Sequence, residues 1–188
     1  MKNCTPQKHL VIVGGGFAGL NLAQHLINDK KFRITLIATN NYNYFPPLLY
    51  QVATSFLDPS SISAPFRKLF RRSRVHFRYA EVMSVDTDLH LLYLNNGLIN
   101  YDFLVFAAGS KVNFYGNEHF LDHAVPMKTI DDALRMRNIM EKAVINTDPA
   151  ERRKLLTTVI AGGGPTGVEV AGMLAEMRNT FCRGIILN

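Results

Sequence analysis

The chain has 188 residues, 47% of them apolar, with a formal charge of +6 and a mean hydropathy of +0.02. That length supports one domain or slightly more around a real core, and no apolar run approaches what a bilayer-spanning segment needs. No signal-peptide pattern surrounds Cys4 and Pro6. The two cysteines, Cys4 and Cys182, form no C-x-x-C pair, disulfide framework or metal spacing, which suits a reducing compartment.

Residues 9–13 read as a buried strand and residues 17–29 as a helix ending near Asn28-Asp29. Residues 32–38, FRITLIA, are rich in β-branched side chains and read as a second strand. From Thr39 to Pro59 the chain is irregular, with Asn40-Asn41, Pro46-Pro47 and Asp58-Pro59, and loops of that length tend to be functional. Its aromatics, Tyr42, Tyr44, Phe45 and Tyr50, fit packing on their own domain as well as stacking on a planar ligand.

The net charge is concentrated next. Arg67, Lys68, Arg71, Arg72, Arg74 and Arg78 fall within twelve residues, interleaved with Phe66, Leu69, Phe70 and Phe77. An amphipathic helix with solvated arginines is the favoured reading; a nucleic-acid patch or an anionic-lipid attachment are the alternatives. No nucleic-acid motif accompanies the charge. Short strands follow over residues 75–94, and Asn95-Asn96-Gly97 reads as a hairpin turn into residues 98–101. Residues 103–107, FLVFA, form a further buried strand stopped by Ala108-Gly109-Ser110. Thr129 with Asp132 opens a long helix through about Asn146, which Thr147-Asp148-Pro149 breaks. Residues 155–161 and 165–179 then read as a second strand and helix. The six histidines are scattered, and no metal site is expected.

One pattern occurs twice. LVIVGGGFAGL places Gly14, Gly16 and Gly19 between strand and helix, and TVIAGGGPTGV does the same with Gly162, Gly164 and Gly167. In G-x-G-x-x-G the first glycine allows the tight turn, the second lets phosphate approach the backbone, and the third lets helix pack on strand. Pyrophosphate then rests on unpaired N–H groups where the helix dipole favours negative charge. Two cradles 148 positions apart imply two α/β units and two nucleotides, an arrangement suited to passing electrons between them.

Several matches in order resemble the type II NADH dehydrogenases, single-subunit NADH:quinone oxidoreductases among the two-dinucleotide flavoproteins. They are VIVGGGFAGL, NYNYFPPLLYQVA at 41–53, YDFLVFAAGS at 101–110, NFYGN at 113–117, MKTIDDALRMRN at 127–138 and GGGPTGVEVAGMLAEM at 162–177. The resemblance covers residues 9–180. It implies an α/β, Rossmann-like FAD/NAD(P)-binding fold with a central parallel sheet, a small antiparallel β-meander and an incomplete second Rossmann unit. It divides the chain into a FAD-binding segment (1–128), a connecting helix and linker (129–152) and the start of an NADH-binding domain (153–188).

Residue by residue, the resemblance implies that Gly14, Gly15, Gly16, Phe17, Ala18 and Gly19 hold the FAD pyrophosphate. Val82 would meet the adenine through its backbone, and Ala108 and Gly109 would lie toward the flavin. Gly162, Gly164 and Gly167 would receive NADH, with Glu169 beside the nicotinamide as the catalytic candidate. The other reading of Glu169 is an acid stabilised at a helix N-terminus. The acid that usually grips ribose at the end of the second strand is replaced by Ala38, which leaves Thr39, Asn40 or backbone for that task.

The expected activity is hydride transfer from NADH to FAD and then electrons to a membrane quinone. The implied partners are NADH, quinone and, for the full-length relatives, the inner face of the cell membrane from the cytoplasmic side, with a homodimer as an option and no nucleic acid. Residues 181–188, FCRGIILN, depart from the family. They can be back-translated so that a frame two bases later spells Leu-Pro-Arg-Asp-Tyr-Pro-Glu, the kind of sequence the family carries there. The alternative expectations are therefore a truncated or frameshifted, inactive fragment, or a ferredoxin-reductase-like flavoprotein. The lack of a redox cysteine pair argues against a disulfide reductase.

Overall fold

Residues 6–117 and 119–186 are described in the computed structural model of the chain. Cys4 lies outside the described residues, as do the side chain of Cys182 and the last two residues of the 181–188 tail. In chain order the elements begin β1 (Lys8–Val13), α1 (Phe17–His25), β2 (Phe32–Ala38), β3 (Tyr42–Tyr44), α2 (Leu49–Ala53) and β4 (Ser63–Pro65). They continue with α3 (Phe66–Leu69), β5 (Val75–Tyr79), β6 (Val82–Asp86), β7 (Leu91–Leu94), β8 (Gly97–Asn100) and β9 (Phe103–Phe106). Four helices close the series: α4 (His119–His123), α5 (Ile130–Ile145), α6 (Pro149–Leu156) and α7 (Pro165–Ile186). Two compact units result, one from Met1–Tyr44 and Ser63–Lys111, the other from Phe45–Ile62 and Val112–Asn188.

The first unit is the α/β part. Its four-stranded parallel sheet runs β5-β2-β1-β9, with β2 and β9 both in register along β1. Alternation along β1 sends Leu10 and Ile12 to one face and Val11 and Val13 to the other, and both faces are covered. On the first face Ile34, Leu36, Ala23 of α1, Phe66, Phe70 and Val75 complete a core. On the second, Ile37 and Ala80 pack with Leu92 and Leu94 of the antiparallel meander β6-β7-β8. β3 and β4 form a separate antiparallel ribbon. The parallel sheet and the meander are as expected from the sequence.

The second unit is helical among the described residues. The stretch expected to be irregular carries 3₁₀ turns at Pro46–Leu48 and Pro59–Ser61 as well as α2, which packs against α5 and α7. α5 begins with a reciprocal capping box: Asp132 N–H donates to Thr129 Oγ1 at 3.1 Å, and Thr129 N–H donates to Asp132 Oδ2 at 2.8 Å. It buries Ile130, Ala133, Met140 and Ala143.

Three expectations are corrected. The basic segment is not one helix: α3 stops at Leu69 and Arg78 lies in β5, because Phe66, Phe70 and Phe77 pack together too compactly for a continuous helical stripe. Residues 155–161 form no strand. α6 runs to Leu156, capped by Asp148 with Pro149 in its first turn, and no strand is present to pair with the following residues among those described, so Val159 stays 86% exposed. Residues 103–107 form a strand but not a buried one. β9 borders the sheet, which leaves Phe103 and Phe106 about half exposed, at 51% and 59%.

Candidate functional site

In the first unit the site is built at the carboxyl ends of β1, β2 and β9. The sheet order places β2 and β9 on opposite sides of β1, so the chain reverses its winding there, and crevices at such switch points take ligands. Gly14 leaves β1 with φ +112° while its N–H donates to the Ile37 carbonyl at 2.8 Å. A Cβ there would land on the Ala107 carbonyl, so a side chain is excluded by both conformation and space. A Cβ on Gly19 would overlap the Gly14 carbonyl, so α1 sits directly on the turn.

Gly16 caps α1 with no side-chain hydrogen bond, and the space where its Cβ would project is open. Its carbonyl takes the first helical bond, from Leu20 N–H at 2.9 Å, which leaves the leading N–H groups of α1 without intrahelical partners. The donor chemistry and the bare approach fit a pyrophosphate. Phe17, Ala18 and Gly19 form the opening turn of that helix.

The other residues singled out in this unit gather around the same end. Thr39 and Asn40 are exposed just past β2, beyond Ala38, whose carbonyl accepts from Ala80 N–H at 3.1 Å. Val82 opens β6 two residues later and packs partly buried against the second core. Ala108 and Gly109 follow β9 exposed, and Gly109 has φ +74°.

Two supports escaped the sequence reading. Asn43 Nδ2 donates to the Gly15 carbonyl at 2.7 Å, and the buried Phe66 ring fills the space a Gly15 Cβ would need. The β3–β4 ribbon and the Phe66 N–H to Asn41 carbonyl bond, 3.0 Å, hold both in place. A single Asn in an aromatic loop carries no local signal for such a role.

In the second unit the glycine turn is repeated without its strand. Gly162 has φ +117°, a Cβ on Gly167 would meet the Gly162 carbonyl, and Gly164 accepts the first bond of α7 from Val168 N–H at 3.1 Å. Glu169 lies exposed in the opening part of α7, next to the buried Val170. Each fingerprint is thus assembled within its own unit.

Comparison with known proteins agrees with this geometry. Residues 8–181 match the family described as pyridine nucleotide-disulphide oxidoreductase. Two type II NADH:quinone oxidoreductases of Mycobacterium tuberculosis are similar, one 39% identical over 95% of this chain and 41% of its own length, the other 42% over 93% and 39%. Among solved structures, NDH2 from Plasmodium falciparum in complex with NADH superposes with a TM-score of 0.84 at 28% identity, covering 95% of this chain and 39% of that one. The chain therefore spans about two fifths of the length of the relatives it matches. The resemblance read from the motifs is borne out, and the chain belongs to the pyridine nucleotide-disulphide oxidoreductase family.

Proposed function

We propose that the first unit seats FAD and that the α7 turn supplies part of an NADH seat, in a protein that carries reducing equivalents from NADH to a quinone. The observation that supports it best is the β1–α1 turn: a side-chain-free helix start at the switch point of a parallel sheet, with a second glycine turn of the same form at α7. The quinone comes from the names of the relatives. Among the described residues no helix is long and apolar enough to cross a membrane.

The chain's own residues bind and orient. N–H groups at the start of α1 neutralise the pyrophosphate, Thr39 and Asn40 offer hydroxyl and amide groups to ribose where Ala38 offers none, and the Val82 backbone borders the adenine. Ala108 and Gly109 shape the wall toward the flavin without bulk. Gly162, Gly164 and Gly167 would give NADH phosphates a like approach, and Glu169 would orient the carboxamide or hold a proton. When bound, FAD would supply the two-electron redox chemistry that the side chains lack.

The exposed Val159 and the absence of a strand over residues 157–164 favour a second reading, in which the 188-residue chain holds flavin but does not take hydride from NADH. One experiment separates the readings. The purified chain is reconstituted with FAD, dialysed, and its yellow absorbance followed on adding NADH and then dithionite. Stoichiometric flavin bleached by NADH supports the full proposal, and bleaching by dithionite alone supports the second reading. A colourless protein overturns both.

A further inference from the structure

A second cluster of polar groups lies at the amino ends of the strands, away from the glycine turn. His9, Arg33 and His76 are the second residues of β1, β2 and β5, with His9 beside Arg33 and Thr35 beside His76 in the strand register. Together with Leu98, Ile99 and Asn100 of β8 they line a cleft of about 460 Å³.

The hydrogen bonds fix the charge state of its floor. Arg33 Nη2 lies 3.0 Å from His9 Nδ1, and a guanidinium can only donate, so Nδ1 is the bare nitrogen. Nε2 then carries the proton and donates to Thr35 Oγ1 at 2.9 Å. His9 and Thr35 are each only 7% exposed, so this floor is buried. Burial first and Arg33 second hold the His9 pKa below its ordinary value, with His76 adding to this and the Asn100 carbonyl and Asp102 opposing it.

The positive charge has no counterpart in the cleft. Arg33 makes no ion pair among the described residues, and the remaining donors of its fork are unspent. Asp102 lies beside the cleft without lining it, and its carboxylate is already paired, accepting from Lys8 Nζ at 2.9 Å and from His9 N–H at 2.7 Å. The His76 ring and the Asn100 carboxamide have no hydrogen-bond partner among the described residues. Arg33 is itself exposed, but its contact with His9 anchors one end of the guanidinium against the buried His9–Thr35 pair, so its fork is partly pre-oriented for a ligand.

We propose that this cleft binds a small oxyanion of phosphate or carboxylate type, with Arg33 as the main charge, His76 and Asn100 as further donors, and Leu98 and Ile99 as an apolar wall. Nothing in this assignment depends on the nucleotide reading. A guanidinium fork matches either oxyanion bidentately, and no acidic side chain lines the cleft to repel it.

The test is a titration of the 188-residue chain, uniformly labelled with nitrogen-15 so that histidine rings and backbone amides are both read, using inorganic phosphate and, separately, succinate at constant ionic strength. The ring signals of His9 and His76 should shift together and saturate with a Kd of about 1–10 mM. Arg33→Gln should weaken binding at least about tenfold, and Asn100→Leu about threefold, with unchanged circular dichroism. Should Arg33→Gln not fold, Asn100→Leu carries the test alone. Saturation by only one of the two anions identifies the source and supports the site. Four results would overturn it: shifts reproduced by chloride, affinity unchanged in Arg33→Gln, affinity unchanged in Asn100→Leu when that variant stands alone, or a response confined to the Gly14–Gly19 amides.

Discussion

Asn43 shows how one side chain prepares a backbone for a ligand. Its amide holds the Gly15 carbonyl at 2.7 Å, which fixes the peptide plane joining Gly15 to Gly16 inside the turn. Asn43→Leu keeps the size of the side chain and removes the donor. We expect FAD affinity to fall about tenfold, while the apoprotein, which loses the same internal hydrogen bond, melts about 2–4 °C below the parent. Equilibrium dialysis beside a thermal melt reads both, and an unchanged affinity would rule the role out.

His9 makes a second prediction at the same scale. Unfolded, its imidazole takes a proton near pH 6.5, whereas in the fold burial and then Arg33 depress that value. Between the two values the unfolded chain binds more protons, so stability rises with pH across that window. The contribution is complete above about pH 6.5 and is lost as pH falls toward the depressed value. Urea midpoints measured from pH 8 to pH 5 should drop on the acid side, and His9→Gln should flatten that drop. The glycines of both fingerprints were legible from sequence because their task is steric and local. Asn43, Phe66 and the His9–Arg33 contact were not, because each joins residues far apart in sequence.

At the scale of elements, local chemistry predicted best where an element carries its own boundary signals. α5 starts at Thr129 because two reciprocal hydrogen bonds satisfy donors that no preceding turn can reach. Thr129→Ala should cost about 1 kcal/mol, read as a shift in denaturant midpoint, and Thr129→Ser should recover most of it. β2 was delimited correctly by its β-branched run. Residues 155–161 have the same composition but no neighbouring strand, and a parallel strand is stable only inside a sheet, so apolar content there did not become structure. The basic segment failed for the opposite reason. Its aromatic residues read as one helical face, yet Phe66 and Phe77 stack at 4.8 Å from two different elements.

Taken as a molecule, the chain divides its order unevenly. The first unit buries residues on both faces of its sheet, with Val11, Ile12 and Leu36 fully enclosed. The second has a helical core around α2 and α5, while residues 157–164 lie exposed between α6 and α7. Native-state hydrogen exchange should show this directly. Amides of β1 and β2 should exchange only with global unfolding, whereas those of 157–164 should exchange orders of magnitude faster. Equal protection along the two stretches would contradict this description. The class of fold was readable from the sequence because alternating strands and helices leave few arrangements. The allocation of residues 45–62 to the helical unit was not, since it depends on α2 packing against α5 and α7.

The position of β9 has a practical consequence. Its outer N–H and C=O groups meet no strand among the described residues, and it presents half-exposed Phe103 and Phe106 beside them. A border of that composition is adhesive toward any extended segment that meets it. Preparations of the isolated chain should grow turbid as concentration rises, and Phe106→Lys should keep them clear.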